Sequence, residues 1–212
     1  MTKCVIFDLD GTLADTLPDI MTAVNGVRAH YGFPSVDEKF VLTFINGDTE
    51  EFARNIGPDL GPDKVSEAIA VYKSIYATCY LDKTAAYAGL SDLLASLKAR
   101  GVKLAVFSNK ADEYVKNLAD KLYPGVFDIA LGAGIFASKP APDGALDIIK
   151  RLGVTADETV FVGDSDVDVN TGNNAGMRVI GVSWGYRGHK FLEDLGRCTV
   201  VDTVEELARE LM

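Results

Sequence analysis

Short β-branched and apolar runs alternate with amphipathic helical patterns along most of the chain, and few architectures accommodate that alternation. The runs are Lys3 to Phe7, Lys103 to Phe107, Phe127 to Leu131, Thr159 to Val162, Arg178 to Ser183 and Cys198 to Val201. Between them the apolar positions follow helical spacing over Leu90 to Ala99, Glu113 to Lys121, Asp143 to Leu152 and Val204 to Leu211. Each run ends in small or polar residues, as strands buried on both faces do, so the pattern predicts an α/β fold with a doubly wound, mostly parallel sheet. Ligands of such sheets bind beyond the carboxyl ends of the strands. The last helix opens with Thr203 followed three residues later by Glu206, which predicts a capping box.

One region departs from the rhythm. From about Thr16 to Thr84 only helical patterns occur, over Leu17 to Tyr31, Val41 to Arg54 and Lys64 to Tyr80, punctuated by Pro18, Pro34, Pro58 and Pro62. This predicts a small all-helical domain, residues 16–84, inserted after the first strand of a Rossmann-like core formed by residues 1–15 and 85–212. A length of 212 residues suits one core plus one insert.

Composition excludes several classes of function. Acidic residues outnumber basic ones by 31 to 21, giving a net charge of -10 without any Lys/Arg run, so nucleic acid and anionic membranes are not expected partners. The apolar run at Cys4 to Phe7 is broken by Asp8, and no stretch approaches a membrane span. Cys4, Cys79 and Cys198 are widely spaced and odd in number, which argues against a disulfide framework and for a reducing cytoplasm. The same negative charge would repel a phosphorylated substrate, so a site for one must supply its own cations.

Four features fall at the ends of predicted strands. Asp8-Leu9-Asp10-Gly11-Thr12 follows the first run; two carboxylates at i and i+2 can share a small volume when a hard cation such as magnesium neutralises them. Alone, the motif also reads as an acidic turn. Ser108-Asn109 follows Phe107 and offers a hydroxyl and an amide to phosphoryl oxygens, although by itself it reads as a helix cap. Lys139 precedes Pro140 in a loop where a lysine is ordinarily solvated. Gly163-Asp164-Ser165-Asp166-Val167-Asp168 follows the fourth run and brings carboxylates so close that a metal is the economical explanation. No P-loop or dinucleotide fingerprint occurs, and His30 and His189 are too few for a histidine metal site.

Taken in order, D-x-D-G-T-L-x-D-T at Asp8 to Thr16, S-N at Ser108, K-P at Lys139 and G-D-S-x-x-D at Gly163 to Asp168 resemble the haloacid dehalogenase superfamily over the whole chain. Tyr87-Ala88-Gly89-Leu90, Phe107-Ser108-Asn109-Lys110 and the helical insert are similar to its phosphoglycolate phosphatase-like branch. The resemblance implies a phosphatase acting on a small phosphorylated metabolite, with 2-phosphoglycolate the first substrate to test. Asp8 would attack phosphorus and form an aspartyl-phosphate. Asp10 would serve as general acid and base. Magnesium would be held by Asp8, the Asp10 carbonyl and Asp164, with Asp168 orienting a water ligand or Lys139. Lys139, Ser108, Asn109 and the backbone at Gly11 would bind phosphoryl oxygens. The insert would act as a cap, its Asn46-Gly47-Asp48 loop reading the substrate's leaving group; Arg54 is the nearby cation to meet a substrate carboxylate, although at helical spacing behind Glu50 it also reads as a surface pair. Asp10 indicates phosphoryl transfer rather than carbon-halogen cleavage, because family members that break other bonds lack it. A β-phosphoglucomutase-like mutase and hydrolysis of pyrophosphate or nucleoside monophosphates share the same core motifs, and the expected assembly is a monomer or homodimer.

Overall fold

The computed structural model describes residues 2–45, 49–57 and 64–212. It divides into two compact units, one formed by Met1–Asp15 with Ala86–Met212 and the other by Thr16–Ala85.

The first unit is built on strands β1 (Cys4–Phe7), β4 (Lys103–Ala111), β5 (Ile129–Ala133), β6 (Thr159–Gly163), β7 (Arg178–Val182) and β8 (Thr199–Val201), numbered with β2 (Ala14–Asp15) and β3 (Ala85–Ala86), which pair separately. The six strands form one sheet in the order β5-β4-β1-β6-β7-β8, every pairing parallel. β1 is central because all four of its residues are fully buried, a burden only a strand covered on both faces can carry. From β1 the chain builds outward through β4 and β5, then returns to the other side through β6, β7 and β8. The order therefore reverses beside β1, which opens a crevice at the carboxyl ends of β4, β1 and β6.

Alternation along the strands fills both faces. Cys4, Ile6, Ala105, Phe107 and Phe161 pack on one side with Ala145, Ile148 and Ile149 of helix α7 (Asp143–Leu152) and Val169 of α8 (Asp166–Asn174). The intervening Val5, Phe7, Leu104 and Val106 point to the opposite face, that of α5 (Leu90–Ala99) and α6 (Asp112–Leu122). Helices α9 (Gly188–Leu195) and α10 (Val204–Leu211) complete the layers.

Some expected boundaries move. β5 begins at Ile129 rather than Phe127, and β4 runs to Ala111 instead of ending at Phe107, with an irregular register against β5 between Phe107 and Ala111. At the last helix Thr203 Oγ1 accepts from Glu206 N–H at 3.2 Å, but the Glu206 carboxylate accepts from Asp202 N–H at 2.8 Å. The reciprocal half of the box thus lands one residue early.

The second unit is helical: α1 (Leu17–His30), α2 (Glu38–Leu42), α3 (Thr49–Ile56) and α4 (Val65–Cys79). The single helix expected over Val41 to Arg54 is two. Asp37 caps α2 by accepting from Phe40 N–H at 3.0 Å, and bonds of i to i+3 type at Thr43 and Phe44 end it. Buried Asp19 on α1 accepts from Lys83 N–H, Thr84 N–H and Thr84 Oγ1–H at 2.8 to 3.1 Å, tying the departing helix to the returning chain. Among the described residues no helix is long and apolar enough to cross a membrane.

Candidate active site

The ladder of β1 extends one residue beyond the strand, because Asp8 N–H donates to Val162 O at 2.8 Å. That bond fixes the Asp8 carboxylate at the rim of the crevice. Gly11 then turns the chain with φ of 83°, and a Cβ there would lie 2.5 Å from Asp164 Oδ2, so only glycine lets the first loop close over the fourth. Gly185, from the loop after β7, meets the same carboxylate: a Cβ would stand 2.3 Å from Asp164 Cβ.

Lys139 arrives from the loop after β5. Its backbone is held by Asn109, whose Oδ1 accepts from Lys139 N–H at 2.7 Å and whose Nδ2 donates to Lys139 O at 3.1 Å. The ammonium Nζ lies 2.7 Å from Asp8 Oδ1 and 2.6 Å from Asp168 Oδ1, with all three side chains buried. Asp168 is aimed by its place in the first turn of α8, where Oδ2 accepts from Ser165 Oγ at 2.6 Å and from Ser165 N–H at 3.1 Å. Asp164 accepts from Thr12 Oγ1 at 3.1 Å and from Tyr186 N–H at 2.7 Å.

Oxygens of Asp8, Asp164 and Asp168 come within 4.8 Å of one another, a grouping able to hold a metal ion. Burial, followed by the charge of Asp168, pushes the Asp8 carboxyl up to about 7 despite Lys139. Burial and the charges of Asp168 and Asp8 likewise raise Asp164 well above the carboxylate range. Burial alone would lower the Lys139 ammonium, but Asp168 and Asp8 overcome it and hold the group above its ordinary value. One ammonium among these carboxylates leaves an excess of buried negative charge that a divalent cation would relieve.

Asp10 sits beside this cluster and faces the tip of β4. Its Oδ1 is 2.7 Å from Lys110 Nζ, and Ser108 Oγ lies 3.5 Å from Oδ2. The sequence reading left Lys110 without a role. Strand alternation would have found it had β4 been extended past Phe107, since residues 108 and 110 then share a side while Asn109 turns to the other. Trp184 donates from Nε1 to Thr12 O at 3.1 Å and so buttresses the first loop.

Of the expected site residues, Asp8, Asp10, Gly11, Ser108, Asn109, Lys139, Asp164 and Asp168 gather at adjoining strand ends. Arg54 is an exposed residue of α3 in the helical unit. Gly47, with Asn46 and Asp48, lies outside the described residues.

The model of the family described as haloacid dehalogenase-like hydrolase matches residues 5–182. Phosphoglycolate phosphatase 1 of Pseudomonas aeruginosa is 30% identical, over 98% of this chain and 79% of that protein. A phosphoglycolate phosphatase of Pseudomonas syringae pv. tomato is 31% identical over the same shares. A solved structure from Lactobacillus delbrueckii subsp. bulgaricus is 33% identical and superposes with a TM-score of 0.93, covering 100% of this chain and 99% of that one. The matched span runs from the first strand to the last residue of β7 and takes in Asp8, Asp10, Ser108, Lys139, Asp164 and Asp168, so the chain belongs to the haloacid dehalogenase-like hydrolases.

Proposed function

We propose that this hydrolase is a magnesium-dependent phosphatase of small phosphomonoesters, with 2-phosphoglycolate as the leading substrate and Asp8 as nucleophile. The observation that carries the reading is the buried contact of Lys139 with both Asp8 and Asp168, next to Asp164. A carboxylate can attack a phosphate dianion only where positive charge offsets their repulsion, and this is the place in the described structure built to supply it. The donor set fits magnesium: the clustered side chains, Asp8, Asp164 and Asp168, offer hard carboxylate oxygens and no thiolate or imidazole, and Asp8, Asp164 and the Asp10 carbonyl are assigned as the ligands. Bound there, the ion would neutralise charge on the phosphoryl oxygens. Asp168, whose oxygens are occupied by Lys139 and Ser165, is assigned to steering Lys139 rather than to direct ligation.

Asp8 then attacks phosphorus in line and carries the phosphoryl group as an aspartyl-phosphate. Asp10 gives a proton to the leaving alkoxide and takes one from the water that ends the cycle. Ser108, Asn109 and the backbone at Gly11 hold phosphoryl oxygens, while Lys139 balances their charge. The helical unit is assigned the role of a cap that limits water and reads the leaving group, with Gly47 and Arg54 as its candidate contacts.

Release of inorganic phosphate from 2-phosphoglycolate tests the proposal. Turnover should need magnesium, disappear with chelator, and fall by roughly a thousandfold or more in Asp8→Asn. Equal rates with and without chelator, or an active Asp8→Asn enzyme, would overturn it.

A further inference from the structure

Lys110 is a half-buried cation beside the groups assigned to the reaction, and the mechanism above gives it nothing to do. Its side chain is only 8% exposed, with Nζ 2.7 Å from Asp10 Oδ1. The strand holds it in place: Lys110 N–H donates to Ser108 Oγ at 3.2 Å, and both residues lie on one side of β4. Lys139 is already committed to two carboxylates, at 2.7 and 2.6 Å. The other charged groups drawn into this cluster, Asp8, Asp10, Asp164 and Asp168, are acids, and the chain as a whole carries -10. A second negative group on a substrate would therefore be repelled at these strand tips except next to Lys110.

We propose that Lys110 is a specificity-determining residue: its ammonium receives an acid group carried by the leaving alcohol close to the ester oxygen, so that the enzyme selects phosphate esters of small hydroxy acids. The inference rests on the phosphatase reading. With phosphorus in line with Asp8, the leaving oxygen must face Asp10. A leaving oxygen facing Asp10 therefore lies beside Lys110, which holds Asp10 Oδ1 at 2.7 Å, and beside Ser108 Oγ, 3.5 Å from Oδ2. Atoms one or two bonds beyond the leaving oxygen then come beside the Asp10–Lys110 pair, where a carboxylate gains a charge-assisted hydrogen bond and an uncharged substituent gains none. A site built around such a group discriminates against an analogue lacking it far more sharply than an apolar pocket does.

The test compares kcat/KM for 2-phosphoglycolate and for 2-hydroxyethyl phosphate, a neutral analogue of similar size, in wild type, Lys110→Met and Lys110→Arg. Wild type should favour the acidic ester by roughly tenfold or more. Lys110→Met should erase most of that ratio, chiefly by slowing the acidic ester, and Lys110→Arg should keep part of it because the charge remains. Circular dichroism and thermal melts establish that each variant is folded, and Lys110→Arg carries the comparison if Lys110→Met is not. If Lys110→Met slows both esters by one factor, or wild type shows no preference, selection by Lys110 is wrong. A wild-type enzyme that hydrolyses neither ester, nor any other phosphomonoester, would instead sink the phosphatase reading.

Discussion

Asp8 shows what the strand-end arrangement costs the protein before any ligand binds. Burial and the neighbouring charge of Asp168 push its carboxyl up to about 7, whereas an unfolded aspartate titrates near 3.9. Between those values the folded state binds more protons than the unfolded one, so stability falls as pH rises through the window and the full penalty applies above it. Removing the ionisable group should lift that penalty. In chelator, Asp8→Asn should unfold at higher urea than wild type at pH 8, by an amount on the order of a few kcal/mol, and the two should converge as pH is lowered toward about 4. Asp164 is shifted the same way, so part of the pH dependence should survive in the variant. A wild-type protein no less stable at pH 8 than Asp8→Asn would contradict the charge excess inferred at the site. The substitution expected to cost activity most is thus one expected to raise metal-free stability, a trade common at functional sites.

At the scale of elements, α7 presses on the sheet through a glycine. A Cβ at Gly144 would lie 2.4 Å from Phe107 Cζ, and the Phe107 ring in turn flanks Lys139 Nζ at 5.9 Å. Alanine would gain about 1 kcal/mol of helix propensity but meets a buried ring, and overpacking of that kind costs about 1 to 3 kcal/mol. Gly144→Ala should therefore lower stability by about 1 kcal/mol in urea titrations, against the usual benefit of that change in a helix. A rise in the unfolding midpoint would mean that the ring moves aside freely. Elements of this kind, with an apolar stripe or run, were legible in the sequence: Leu90–Ala99, Asp143–Leu152 and Val204–Leu211 fall where the spacing placed them. α8 was not, because Asp166–Asn174 carries polar residues on most of its surface and is set by the Ser165–Asp168 cap rather than by a stripe. The extension of β4 through Ser108-Asn109-Lys110 was missed because a polar tripeptide reads as a loop, and with it went the part of Lys110. The acidic motifs stood out because carboxylates crowded at strand ends need a physical reason; the ring of hydrogen bonds from Thr12, Ser165 and Tyr186 that aims them depends on distant loops meeting, which no local pattern records.

At the scale of the whole molecule, the strand-end residues Asp8, Asp10, Ser108, Lys110, Lys139, Asp164 and Asp168 all belong to one unit, Met1–Asp15 with Ala86–Met212. That unit, of about 140 residues, owns a complete parallel sheet covered on both faces and is large enough to bury about two thirds of its unfolded surface. The helical unit has its own fastening, through Asp19 to Lys83 and Thr84, and so closes on itself between the points where the chain enters and leaves it. β2 and β3 pair directly, which leaves a gap that a short Gly/Ser turn can span when residues 17–84 are removed. The excised core should unfold cooperatively in urea and bind manganese, a magnesium substitute, as a thermal shift that Asp8→Asn reduces. It should still hydrolyse p-nitrophenyl phosphate, whose leaving group asks little of a general acid, while kcat/KM for 2-phosphoglycolate falls by roughly a hundredfold if the helical unit is the proposed cap. A core that folds and binds manganese yet keeps full activity on 2-phosphoglycolate would strip the helical unit of its part in the reaction. A core that cannot fold would show instead that the sheet depends on the insert for stability.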